Sequence, residues 1–108
     1  MPIPEVDWKY FQKLRPLLLD RFCQRVLAEA ASLMADSTRT NHDRCLALYQ
    51  LIRERDEDLA QMFDHHSRSS ASLKIGIMNR CELLTAEEIA GFSAEMIKFL
   101  ECLKPPTR

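Results

Sequence analysis

The chain has 108 residues, of which 46% are hydrophobic and 29% charged, and its formal net charge is −1. That length supports one well-filled core but would leave two separate domains marginal, and only 2 Gly and 5 Pro exclude a collagen-like fibre and argue against disorder. With 15 Lys and Arg against 16 Asp and Glu, there is no broad electrostatic attraction for nucleic acid.

The opening segment MPIPEVDWKYFQKLR does not read as a secretory leader, because Pro2, Pro4, Glu5 and Asp7 interrupt the basic and then apolar pattern such a leader needs. No apolar run approaches the roughly 18 residues required to span hydrocarbon, so cytoplasmic residence is the expectation. Trp8, Tyr10 and Phe11 point in several directions around a helix, which suits either packing back onto the domain or docking on a partner. Pro16 predicts a bend between a short opening helix and a long one reaching about Ala35. Leu19, Phe22, Cys23, Val26, Ala30, Leu33 and Met34, at steps of three and four, give the latter one broad apolar face.

After the polar break ADSTRTN, a second long helix is expected from the cap Asn41 to about His66. Cys45, Tyr49, Ile52, Asp56, Leu59, Phe63 and His66 follow one another in alternating steps of 4 and 3, a heptad-like seam with a carboxylate in its middle. The stretch RERDED, residues 53–58, makes this helix a bundle member with a polar waist. SRSS, residues 67–70, forms the next break, and Ser69 or Ser70 is the expected cap of a third helix whose face is Leu73, Ile77, Cys81 and Leu84, with Gly76 beside it. A fourth helix starts at a capping box, Thr85 with Glu88, flanked by the staple pair Leu84 and Ile89, and runs to Pro105 and Pro106. The sum is an all-α fold, a four-helix antiparallel bundle with a short additional N-terminal helix, occupying residues 1–104 as a single helical domain with a tail at 105–108.

The sharpest chemical candidate is the polar waist. On a continuous helix Glu54, Asp58 and His65 share one side with Gln61, and a divalent cation or zinc could use such a set. The chain lacks HExxH and the repeated Glu plus ExxH pattern of a two-metal bundle, and the same residues are explained by local pairs such as Arg53 with Asp56 or Arg55 with Asp58. Catalysis by Cys45 with His42 lacks an orienting group and an oxyanion donor. The four cysteines, at 23, 45, 81 and 102, have no CxxC or zinc-knuckle spacing and are expected to be buried thiols. Two stretches, 1–27 and 64–80, each carry a net charge of +2, but no nucleic-acid recognition motif accompanies them.

The remaining expectation is a small, non-enzymatic protein–protein interaction or regulatory domain that needs no cofactor and acts as a homodimer or on a protein partner. Metal binding through the waist and nucleic-acid association are the alternatives. Trp8, Tyr10, Phe11, Leu17 and Leu18 supply more apolar surface than one helix face consumes, and either a partner or the chain's own bundle can cover them. Asp56, interrupting an otherwise apolar seam, is expected to set packing register or orient a partner rather than to catalyse.

Overall fold

A computed structural model describes residues 3–103. They form five helices: α1 (Glu5–Met34), α2 (Asn41–Phe63), α3 (Arg68–Arg80), α4 (Ala86–Ala90) and α5 (Ala94–Leu103). The all-α class expected from periodicity is what the chain adopts. The expected helix stop at Pro105 and Pro106, and the tail beyond it, lie outside the described residues.

The leader is helical, but it is continuous with the first long helix, because α1 passes through Pro16 without ending. Pro16 has no N–H to offer the carbonyl one turn back, yet Pro16 and Leu17 are exposed, so water can serve that carbonyl. Leu14 and Leu18, flanking Pro16, are buried in the core and anchor the helix on both sides of it. At 30 residues α1 is about 45 Å long.

Hydrogen bonds fix α2 antiparallel to α1. Arg15 in the first half of α1 donates to the Phe63 carbonyl at the end of α2, and Arg44 near the start of α2 donates to the Met34 carbonyl at the end of α1. Thr40, rather than Asn41, caps α2, its hydroxyl accepting from the Asp43 N–H at 3.1 Å. The helix stops at Phe63, three residues before the expected His66, and His65 then takes the left-handed region at φ 54°.

The core sits at one end of this helical pair. Phe11, Leu14, Leu18 and Phe22 of α1 meet Met62 and Phe63 of α2, Ala71, Ile75 and Met78 of α3, and Phe92, Met96 and Leu100 from the C-terminal segment. Beyond Phe22 the only buried residue of α1 is Ala30, and α2 buries nothing before Met62. The distal halves of α1 and α2 therefore form a two-helix arm projecting from a five-helix head, consistent with extents of 51 × 34 × 20 Å.

Two apolar faces differ from expectation. On α3 the buried stripe is Ala71, Ile75 and Met78, and Leu73 of the expected face is 63% exposed. Ser67 occupies the cap position, and beside Gly76 lies the Leu103 side chain, which a Cβ there would meet at 2.6 Å. On α2 the covered stripe is Arg44, Leu48, Leu51, Arg55, Asp58 and Met62, one residue away from the expected seam, of which Leu59 and Phe63 are nevertheless covered and meet the core.

The fourth expected helix is broken into α4 and α5 around Gly91–Phe92–Ser93. Its capping box is present, with Thr85 and Glu88 each accepting from the other's backbone. The break has two causes, both on α1. The Tyr10 ring occupies the space where a Cβ on Gly91 would lie, and its hydroxyl donates to the Glu88 carbonyl at 2.9 Å. Buried Asp7 then takes the Ser93 N–H at 2.8 Å and the Ser93 hydroxyl at 2.6 Å, while that hydroxyl accepts from Met96 at 3.2 Å and starts a new helix.

Candidate docking surface

The basic residues explain what the head leaves for a ligand. Arg15 reaches the Phe63 carbonyl at 2.6 Å and lies over the Phe63 ring, and Lys74 donates to the carbonyls of Gln61 and Asp64, so two cations close the end of α2. Arg25 donates to the Cys81 and Glu82 carbonyls at 3.1 and 2.6 Å beyond the end of α3. Arg68 donates to the Ile3 carbonyl at 3.1 Å. Arg21 serves both the Leu83 carbonyl and, through both Nη atoms, the Glu88 carboxylate at 2.7 and 3.0 Å. The Glu88 carboxyl is thereby held below the usual carboxylate range, first by Arg21 and then by the Thr85 N–H, against the opposing effect of burial. The local positive charge of residues 1–27 and 64–80 is thus largely directed at carbonyl oxygens of the chain itself, not arrayed for phosphates.

Most of the candidate aromatic leader is likewise used within the chain. Phe11 and Leu18 are core residues, Tyr10 packs edge-on against Phe92, and Trp8 stacks on His66 with ring centroids 4.8 Å apart. Of that group only Leu17 stays broadly exposed, at 50%. This is the self-covering alternative of the sequence analysis.

The arm presents the opposite picture. Leu27 and Met34, two turns apart on α1, are 67% and 52% exposed, and Leu46, Tyr49 and Ile52 on α2 are 55%, 68% and 46% exposed. Between the helices runs a shallow groove of about 240 Å³ lined by Cys23, Val26, Leu27, Ile52, Asp56 and Leu59, with Arg55 at its edge. The 4–3 seam read from the sequence is exposed here from Cys45 to Asp56, about 100° around α2 from the stripe that packs on α1, and turns into the core at Leu59 and Phe63. Asp56 is exposed on it and not buried in the bundle, as the seam had suggested. No protein-family model, curated protein or solved structure matches the chain.

The metal set is not assembled. Because α2 ends at Phe63, His65 leaves the face of Glu54 and Asp58; Asp58 instead accepts from Arg55 at 2.8 Å, the local pairing expected from spacing. Arg55 also pairs with Glu29 of α1 at 3.2 Å, which raises the guanidinium pKa, Glu29 being the larger cause. Among the described residues no group of three or more His, Cys, Asp or Glu is placed to hold a metal ion, and no helix is long and apolar enough to cross a membrane. The cysteines are all free, and Cys45, Cys81 and Cys102 are exposed, contrary to the expectation of buried thiols, because the faces that carry them are not the faces that pack.

Sequence reasoning missed Asp7, Arg15, Arg25 and Lys74 as structural anchors. Their role depends on helix ends that no short-range pattern brings near them. Asp7 alone left a signal, an acidic residue within a cluster of aromatics.

Proposed function

We propose that this chain is a protein-interaction module that docks through the apolar face of the α1/α2 arm. The observation that carries the reading is the upper part of the second 4–3 stripe of α2, where Cys45, Tyr49, Ile52 and Asp56 stand exposed near Leu27 of α1 while a neighbouring stripe makes the intramolecular contact. A lone exposed apolar side chain needs no explanation, whereas a run of them along a helical pair supports a docking surface. Several arginines of the head hold helix ends, and among the described residues no group of three or more His, Cys, Asp or Glu is placed to hold a metal ion, which favours docking over the metal-binding alternative.

The test is site-specific photocrosslinking. A benzophenone side chain introduced at Tyr49 is expected to form protein adducts, with purified chain or in an extract of the source cell, while the same group at exposed Glu101 on α5 does not. Ile52→Glu should abolish the adducts at 49 with helix content and melting unchanged. Equal labelling at both positions, or adducts at 49 that survive Ile52→Glu, would overturn the docking face.

A further inference from the structure

We infer that the occupant of the arm face is the same face of a second copy of this chain, laid antiparallel, so that two arms close a four-helix bundle between protomers. The inference rests on the docking reading above and names its partner. It starts from two charges. Arg53 and Asp56 are exposed and make no ion pair or side-chain hydrogen bond among the described residues, although Arg55 and Asp58 between and beside them are paired. An uncompensated cation and anion three residues apart on one helix are self-complementary about a two-fold axis, because an isologous interface forms each contact twice.

The register follows from helix geometry. With the axis crossing α2 near residue 54, Asp56 of one copy comes level with residue 52 of the other, about 1.5 Å along the helix from the level of Arg53. That offset is well within the reach of a guanidinium, so two Arg53–Asp56 pairs form across the axis. Tyr49 then comes level with Leu59 of the partner copy, at the inner end of the groove where Leu59 is half-buried against its own core. A parallel arrangement would instead set Asp56 beside Asp56 and Arg53 beside Arg53, repelling at both positions.

The available area suits this occupant. The face runs over residues 23–34 of α1 and 45–59 of α2, which is about 20 Å of each helix, and two adjacent helices are about 20 Å wide. Roughened by side chains, such a face is on the order of 600 Å² per copy, and the pair reaches about 1,200 Å², the lower end of specific interfaces. A reversible dimer with a micromolar dissociation constant is the consequence.

Sedimentation of the full chain from about 1 to 200 μM tests this. The wild type should pass from monomer to dimer over that range. Asp56→Arg and Arg53→Asp should each weaken the dimer at least about tenfold, as loss of a matched pair and its replacement by repulsion demand, and the double exchange should return to within about threefold of wild type. At concentrations where every form is monomeric, circular dichroism and melting should be unchanged in all three variants, since neither side chain is paired within the protomer among the described residues. With the other cysteines changed to Ser, mild oxidation should give no Cys45–Cys45 disulfide, because antiparallel copies hold these residues about 27 Å apart along the axis. A wild type monomeric at 200 μM, a double exchange that fails to restore association, or a ready Cys45 disulfide would each overturn the inference. If the purified chain is monomeric while Tyr49 still crosslinks in extract, only the second copy is rejected; loss of both signals rejects the docking face as well.

Discussion

Asp7 is 1% exposed, yet both its carboxylate oxygens are satisfied by Ser93, so one buried charge joins the first turn of α1 to the first turn of α5. A buried carboxylate is tolerated only with such donors, and removing it strands them. Asp7→Ala should therefore lose about 2 to 4 kcal/mol of unfolding free energy in urea, and Asp7→Asn distinctly less, since its amide oxygen still accepts one bond. Equal losses for the two would show that the charge and not the acceptor geometry matters. His66 gives a second local test. Withdrawal from water, and then the nearby charges of Arg15 and Lys74, push its imidazole below the usual histidine value. A folded pKa below the unfolded value of about 6.5 means that the folded chain binds fewer protons, so the stability contribution is complete above that pH and is lost as pH falls toward the folded pKa. Trp8, the only tryptophan, stacks on that ring and reports its charge. Its fluorescence should titrate with a midpoint under 6.5, a transition absent in His66→Gln; a midpoint at or above 6.5 would contradict the assignment.

Between elements, the turn after α3 shows what local sequence conceals. Glu82 lies in the left-handed region at φ 56°, the Leu83 N–H reaches back to the Met78 carbonyl at 3.0 Å, and both Leu83 and Met78 are buried. This is the helix-ending arrangement that glycine ordinarily serves, and no glycine announces it. Arg25 compensates by donating to the Glu82 carbonyl from α1. Glu82→Gly should consequently stabilise the chain by about 1 kcal/mol, read as a higher midpoint in thermal and urea unfolding, because the side chain's steric cost disappears while the carbonyl contact remains. No gain would mean that the Glu82 side chain offsets its own strain. By contrast, the Thr85–Glu88 box was fully legible, since both its bonds lie within four residues, and so were the polar breaks before α2 and α3. The division between α4 and α5 was not legible, because Tyr10 and Asp7, which impose it, lie about 80 residues away. That the opening helix continues through Pro16 into the long one was not legible for the same reason, as burial of Leu14 and Leu18 depends on distant helices.

At the scale of the molecule, the periodicity of α2 contained two adjacent 4–3 stripes, and a pattern cannot say which of two stripes a given helix will face. Of the expected seam, Cys45, Tyr49, Ile52 and Asp56 are left outside, whereas the stripe on α1 includes Arg44, Arg55 and Asp58 and is held partly by the Arg55–Glu29 and Arg44–Met34 contacts. A helical pair joined by the Arg55–Glu29 ion pair and half-buried leucines, with Ala30 as its only buried residue before Met62, has far less apolar burial per residue than the head. Local stability follows such burial, and isolated helices of this length are marginal in water. Amide exchange at low micromolar concentration should therefore divide the chain in two. Residues 26–34 and 42–52 should exchange through local openings at least about 1 kcal/mol below those that release residues 14–22 and 71–78, which should follow global unfolding. Residue-resolved exchange across a urea series separates the classes, because local openings are nearly insensitive to urea and global ones are steeply sensitive. Uniform protection from residue 14 to residue 78 at that concentration would show that the arm is cooperative with the head, and its exposed stripe would then be carried on a helix pair as rigid as the core itself.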